Sequence, residues 1–254
     1  MILIHRVTPF AIGLLATFGF ISLLQGWVHP MLSVALSIVL IAFLYARLLH
    51  FHVRSFEFWY FLGIPILYLL ASFGMVFLFE QPISSFSLAM LSLVFLVLFA
   101  EYVFQYTHLP SHYQPYSIEY LSLLLNVLTI FFVSSVAYGT NLLMQTSLWI
   151  LTPIFFLLSL FILYGTLFVS KADPTRSRPY AFAGSILTTE FFVTLAFLPS
   201  GLYTNAALIT LFFYVFLGLT RAQVHHKLSA SVVKSYLGVA CVLGILIVLS
   251  TDWL

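Results

Sequence analysis

The chain has 254 residues, of which 63% are hydrophobic and only 6% are charged, and its formal net charge is +2. An ordinary soluble domain carries about a quarter charged residues, so this chain lacks the polar side chains that would cover a water-facing surface. The composition excludes a soluble globular protein and indicates that lipid is the solvent. The small net charge, with no basic stretch interleaved with aromatic residues, argues against a nucleic-acid partner.

Nine apolar stretches follow one another along the chain, each close to the roughly 20 residues that a helix needs to cross a bilayer. They are too long for strands and show no period-2 alternation, and a helix satisfies its own backbone groups in lipid. The sequence therefore predicts an all-α, polytopic transmembrane helical bundle that forms one integral membrane domain over residues 1–254. The predicted spans are 8–25, 31–47, 57–79, 84–106, 117–138, 146–169, 181–198, 203–220 and 230–250. The shortest three, 31–47, 181–198 and 203–220, leave counts of seven or eight open.

Basic residues near the span ends predict the orientation, because Lys and Arg are retained on the cytoplasmic side. With nine spans, a cytoplasmic N-terminus and a C-terminus outside, every basic residue falls on the cytoplasmic side. These topology-determining residues are Arg6, Arg47, Arg54, Lys171, Arg176, Arg178, Arg221 and Lys227, together with Lys234. We expect a multi-pass protein of a plasma membrane or a bacterial inner membrane.

Glu190 is the one ionisable residue near the middle of a predicted span, where it follows Thr188 and Thr189. A charge at the centre of a membrane helix costs about 3 kcal/mol. We therefore expect Glu190 to face the bundle interior, a water-filled cavity or a partner, or to stay protonated. One interpretation is a proton or cation relay in a permeation path, and the other is a neutral carboxylic acid that hydrogen-bonds a neighbouring helix. Asn126, in the fifth span, is a candidate partner.

Seven of the eight histidines fall on the predicted cytoplasmic side. Six of them are grouped and form a candidate metal set: His50, His52, His108, His112, His225 and His226. Neutral imidazoles bind zinc or iron, and the HxxxH spacing in "HLPSH" is similar to the histidine boxes of membrane desaturases and hydroxylases, although this chain has no HxxHH. The alternative is that these rings lie at the headgroup level without a ligand.

Three functions remain open from the sequence. The favoured one is a small-solute or ion transporter or channel that uses Glu190 and needs no cofactor. The second is a non-catalytic subunit or scaffold of a larger membrane complex, with other subunits or a second copy as partners besides the membrane lipids. The third is a cytoplasmic-face enzyme that uses the histidines and zinc or iron on a lipid. An enzyme is not favoured, because the chain has no Gly-rich phosphate loop, GxSxG or HExxH motif.

Overall fold

The computed structural model describes residues 6–26, 29–111, 113–114 and 116–251. Within these ranges the protein contains nine helices and no strand. The helices are α1 (Thr8–Gln25), α2 (Pro30–Leu48), α3 (Phe56–Val76), α4 (Pro82–His108), α5 (Ser117–Met144), α6 (Leu148–Val169), α7 (Pro174–Leu195), α8 (Leu202–Val224) and α9 (Ala230–Leu249). The predicted all-helical membrane fold is confirmed.

Eight of the nine described helices are long and apolar enough to span a membrane, and α7 is the exception. Its sequence carries Arg176 and Arg178 in the first turns and Glu190 further along, and these residues lower its apolar content. Composition alone therefore does not decide whether α7 crosses the bilayer.

The packing of α7 against α8 bears on whether α7 crosses. The Arg176 guanidinium donates a hydrogen bond to His226, which joins the start of α7 to the end of α8. At the other end, Asn205 Nδ2 donates to the carbonyl oxygen of Leu195 over 3.0 Å. The two helices are therefore antiparallel and run beside each other along the whole of α7, whose 22 residues are about 33 Å long. Because α8 is long and apolar enough to span, this packing favours a crossing by α7 as well, and the count of nine crossings stays a prediction.

The chain forms two compact units, Met1–Leu125 and Asn126–Leu254, and the boundary falls inside α5. In the first unit α1 packs against α2 and α4, and α3 packs against the same two helices. Two buried tyrosines tie this unit together: Tyr45 donates to the carbonyl oxygen of Leu96 over 3.0 Å, and Tyr60 is hydrogen-bonded to Ser122 over 2.6 Å. The single-domain assignment stays a prediction.

In the second unit the helices from α6 to α9 pack in chain order, each against the next. The Phe192 ring of α7 stacks between Phe155 of α6, at 4.4 Å, and Tyr138 of α5, at 4.8 Å. The hydroxyl of Tyr138 also donates to the carbonyl oxygen of Phe192 over 2.7 Å. By contrast, α8 is the one described helix against which α9 packs extensively. None of the residues of α9 is buried. The unit therefore has a packed centre at α7 and a peripheral helix at α9.

The helix ends differ most from the predicted spans at α5 and α7. Helix α5 continues six residues past the predicted end, through the "GTN" segment, to Met144. Helix α7 begins at Pro174, not at residue 181, because Asp173 caps its first turn: the carboxylate accepts from the Thr175 backbone N–H over 3.0 Å. Proline at the first position needs no N–H partner there. The charged segment that looks like a loop is therefore the first two turns of a helix.

Candidate functional site

The first half of the inward face of α7 is built from small residues, which lets neighbouring helices approach closely. Gly184 is the closest approach: a Cβ atom there would lie 2.1 Å from a carbon of the Phe216 ring on α8. Ala181, Ser185 and Thr188 are buried on the same face. These residues fix the rotation of α7 about its own axis, and that rotation decides where Glu190 points.

The hydroxyls of Thr188 and Thr189 are buried and bond to their own helix. Thr188 Oγ1 donates to the carbonyl oxygen of Gly184 over 2.6 Å, and Thr189 Oγ1 donates to that of Ser185 over 2.7 Å. Such bonds to the carbonyl one turn earlier satisfy a hydroxyl donor within a membrane helix. Both side chains therefore contribute to helix packing, and neither donates its hydroxyl proton to the carboxylate of Glu190.

Glu190 lies on the outward face of α7 and is exposed. It shares this face with Ala183, Leu187 and Thr194, which are also exposed. Its carboxylate makes no hydrogen bond or ion pair with any residue that the structure describes. Within its own unit Glu190 therefore does not face the packed interior, and the other expected environments, a water-filled cavity, a partner or a protonated carboxyl, stay predictions.

The depth of Glu190 also differs from the expected mid-span position. Because α7 ends at Leu195, Glu190 lies five residues, or about 7.5 Å of helix rise, from that end. The Cα–Cβ bond of a helical residue tilts towards the helix N-terminus. The side chain is therefore directed away from the nearer end of α7 and towards its middle.

Asn126, the candidate partner of Glu190, bonds elsewhere. Its buried Nδ2 donates to Thr166 Oγ1 over 2.7 Å, and Thr166 in turn donates to the carbonyl oxygen of Ile162 over 2.7 Å. Thr166 lies in the last turn of α6, next to the start of α7, whereas Glu190 lies near the far end of α7. The structure therefore does not bring Asn126 and Glu190 together.

Sequence reasoning missed a polar clamp at the far end of α7. Asn205 is buried, donates to the carbonyl oxygen of Leu195 and accepts a hydrogen bond from Ser200. This clamp adds a second hydrogen bond to a helix C-terminal carbonyl oxygen, which also accepts one from the backbone N–H of Leu198. The signal in the sequence is an Asn soon after "PSG", a position from which a side chain can reach back across a tight turn.

Three of the candidate metal-binding histidines lie near one another in the first unit. The rings of His50 and His108 are 4.6 Å apart, and those of His50 and His52 are 6.3 Å apart. His108 also stacks on Phe104 at 5.2 Å, and its Nδ1 is hydrogen-bonded to Thr107 Oγ1 over 2.7 Å. His112 lies outside the described residues.

The other two histidines, His225 and His226, belong to the second unit and follow the end of α8. His226 Nε2 is hydrogen-bonded to the Arg176 guanidinium, so that this nitrogen is already engaged with a donor. Across the described ranges, no three His, Cys, Asp or Glu side chains are placed to hold a metal ion. The zinc or iron site stays a prediction.

One end of the second unit is strongly basic. The hydrogen bond from Arg176 to His226 places the turn between α6 and α7 beside the turn between α8 and α9. The basic residues at this end are Lys171, Arg176, Arg178, Arg221 and Lys227, with Lys234 in the first two turns of α9. Asp173 is the acidic residue in these turns, and hydrogen bonds from the Thr175 hydroxyl and backbone N–H lower its pKa.

Comparison with known proteins finds no match for this chain among protein-family models, curated proteins or solved structures. The structure itself shows a multi-pass helical protein of the membrane. Its chemically distinctive groups are a carboxylate on an outward helix face, a histidine cluster at one end of the first unit and a basic end of the second unit.

Proposed function

We propose that the protein is a non-catalytic, membrane-embedded subunit that docks with a partner through the outward face of α7. The carrying observation is Glu190, whose carboxylate lies on a lipid-facing surface without a partner in the described part of the chain. Acidic residues in spans are rare and almost always face protein or a water-filled cavity. A second protein that covers this face supplies such an environment.

The chemistry of the face defines the partner. A carboxylate in hydrocarbon gains most from a donor at the same depth, either a Lys or Arg side chain or a hydroxyl or amide of a neighbouring span. Ala183, two turns before Glu190, is small enough to let another helix approach, and Leu187 supplies apolar contact between them. The partner is therefore a helix with a donor placed opposite Glu190, either in another subunit or in a second copy of this chain.

The arrangement favours the subunit interpretation over transport by the isolated chain. A relay within the chain needs Glu190, Thr188, Thr189 and Asn126 along one path, but their polar groups are separated. The two threonines bond to their own helix, Asn126 bonds to Thr166, and Glu190 faces outward. An ion path through Glu190 would require a partner that completes it. The subunit and the transport interpretations therefore both need a partner at this face.

Helix α9 offers a second surface for a partner and independently supports the subunit interpretation. None of its residues is buried, and a Cβ atom added at Gly238 would meet nothing within 4 Å. Glycine costs helix stability, and in membrane helices it is enriched where two backbones approach closely. An outward glycine on a peripheral span is therefore typical of a helix that packs against a partner.

Site-directed photo-crosslinking in native membranes tests the proposal. A photoreactive residue at Leu187, one turn from Glu190, is expected to give a protein adduct of one defined mass. The matched control is Leu36 on α2, which is also apolar and about half exposed, at 54% against 44% for Leu187. We expect lipid adducts alone at that position. A protein adduct that is lost on Glu190→Leu and kept on Thr194→Leu would assign the contact to the carboxylate.

Two outcomes would contradict the proposal. Lipid adducts alone at Leu187, in membranes where the chain is expressed at its natural level, would mean that the face is covered by lipid. A monodisperse monomer after mild-detergent purification, combined with solute flux by that monomer in vesicles, would restore the transport hypothesis.

A further inference from the structure

A groove on the lipid-facing surface of the second unit lies between α6 and α7. It has a volume of about 580 Å³ and is lined by Leu157, Leu160, Phe161 and Tyr164 from α6 and by Arg178, Ala181 and Phe182 from α7. All lining side chains except those of Arg178 and Tyr164 are wholly apolar. The groove is open along its length to the surrounding lipid, and its one charged group lies at the basic end of the unit.

The geometry of the groove matches a lipid that stands upright in the leaflet. Arg178 lies four residues into α7, about 6 Å from its start, and a helical side chain is directed towards the N-terminus, which here is the membrane surface. The lining residues of α6 descend from Tyr164 to Leu157, a helix rise of about 10 Å. A cation at the headgroup level therefore stands above an apolar channel that leads into the hydrocarbon.

Arg178 is available for a ligand. It is exposed and makes no hydrogen bond or ion pair with the residues that the structure describes. Its neighbour Arg176 is already bonded to His226, and the carboxylate of Asp173 is occupied by Thr175. Since none of the described acidic side chains pairs with Arg178, we expect its counter-ion to come from outside the chain.

We propose that this groove binds one anionic phospholipid, with an acyl chain along α6 and the phosphate paired with Arg178. A guanidinium binds phosphate oxygens in a bidentate, charge-assisted manner, and basic pockets between helices on the cytoplasmic side bind anionic headgroups. The other basic residues at this end, Lys171, Arg221 and Lys227, raise the local concentration of anionic lipid, while Arg178 and the groove select the bound molecule.

Native mass spectrometry of the whole chain tests the site, with protein released from nanodiscs that contain equal amounts of phosphatidylglycerol and phosphatidylcholine. We expect one retained phosphatidylglycerol in preference to phosphatidylcholine. Arg178→Gln should lower that retention about ten-fold, because it removes a charge-assisted phosphate contact, whereas Arg178→Lys should keep part of it. Lys171→Gln is the matched control: it removes the same charge at the same end without touching the groove, and we expect a loss of less than about five-fold.

A second variant tests the contribution of the apolar groove to lipid retention separately from that of the Arg178 charge. Leu157→Trp fills the deep end of the groove, lies at a side chain that is 63% exposed, and leaves every charge in place. It should lower retention of a long-chain phosphatidylglycerol while a six-carbon-chain form is held as before. Equal losses for Arg178→Gln and Lys171→Gln would show a diffuse basic field with no site. Unchanged long-chain binding in Leu157→Trp, or displacement by millimolar inorganic phosphate, would overturn the acyl groove.

Discussion

At the scale of single residues, an ionised Glu190 carboxylate in hydrocarbon would be costly to the isolated chain. Replacing it by leucine should make insertion of α7 more favourable by up to about 3 kcal/mol, and by less if its position near the helix end reduces the cost. The fraction of α7 inserted into microsomes, read from glycosylation of flanking sites, measures this. Thr194→Leu on the same face is the control. An unchanged inserted fraction for Glu190→Leu would show that the carboxylate already reaches water.

Asn126 and Thr166 form a buried side-chain pair that should couple α5 to α6. Hydrogen bonds between membrane helices contribute about 0.6 kcal/mol on average and at most about 2 kcal/mol. A double-mutant cycle with Asn126→Leu and Thr166→Val should therefore give a coupling energy in that range. Unfolding free energies in bicelles provide the measurement.

The control pairs Asn126→Leu with Thr152→Val, because Thr152 bonds to the carbonyl oxygen of Leu148 in its own helix. The effects of these two substitutions on the unfolding free energy should be additive. Coupling of the same size in both cycles would mean that the Asn126 bond to Thr166 carries no specific energy.

At the scale of helices, Gly184 and Gly238 offer a comparison within one unit. Gly184→Ala places a methyl group 2.1 Å from the Phe216 ring, so α7 and α8 must separate or the ring must move, at a cost of about 1 to 3 kcal/mol. Gly238→Ala meets nothing within 4 Å and should be neutral or stabilising by up to about 1 kcal/mol.

Thermal unfolding of the two glycine variants in detergent measures both effects. Equal stability of the variants would mean that α7 and α8 are not in close contact. The same Gly238→Ala variant tests α9 as a second docking surface, since a methyl group on a close-packed face should weaken association without destabilising the isolated chain.

The Asp173 cap makes the start of α7 sensitive to pH. Because hydrogen bonds from Thr175 lower the pKa of this carboxyl, its stabilising effect is fully present above the unfolded-state pKa of about 3.9. The effect is lost as the pH falls through the lower pKa of the folded state. Amide hydrogen exchange at Thr175 and Arg176 should therefore quicken, relative to the intrinsic rate, as the pH falls below about 4.

The matched variant for this effect is Asp173→Asn, which keeps an acceptor for the cap but has no carboxyl to titrate. Its exchange, corrected for the intrinsic rate, should not depend on pH over the same range. If the two proteins respond alike, the pH dependence comes from another group.

The number of helices was predictable from the sequence, but some of their ends were not. A run of about 20 apolar residues can only be a helix in lipid, so all nine helices were expected within a few residues at most ends. The start of α7 was missed because Asp173 and Pro174 begin a helix that also carries Arg176 and Arg178. Capping chemistry, and not apolarity, sets that boundary.

The direction of Glu190 was not predictable for a different reason. In a soluble helix the polar face identifies the surface, but lipid and protein interior are equally apolar, so a membrane helix carries little pattern that tells one from the other. On α7 the inward face is marked by Gly184 and Ser185 and the outward face by Leu187. Small residues, not hydrophobic ones, mark the packed side.

At the scale of the whole molecule, nine crossings and the grouping of basic residues depend on α7. The contacts of Arg176 with His226 and of Asn205 with Leu195 make α7 antiparallel to α8 along its full length. If α7 crosses, the turns that carry Lys171 and Lys227 lie on the same side of the membrane. If it did not cross, these two turns could not be joined by the contact that the structure shows, and the basic residues would be divided between the two sides.

Cysteine labelling in intact cells tests this topology, in a background in which the single Cys241 is replaced by serine. Pro199→Cys, between α7 and α8, should react with a membrane-impermeant maleimide from outside. Leu228→Cys, between α8 and α9, should react only after permeabilisation. Glu80→Cys and Val53→Cys are the controls, since they precede α7 and should lie outside and inside, respectively, whether or not α7 crosses. The reverse result at Pro199 and Leu228, with unchanged controls, would reduce the count to eight and move the basic turn after α8 to the outer surface, against the retention of Lys and Arg on the cytoplasmic side.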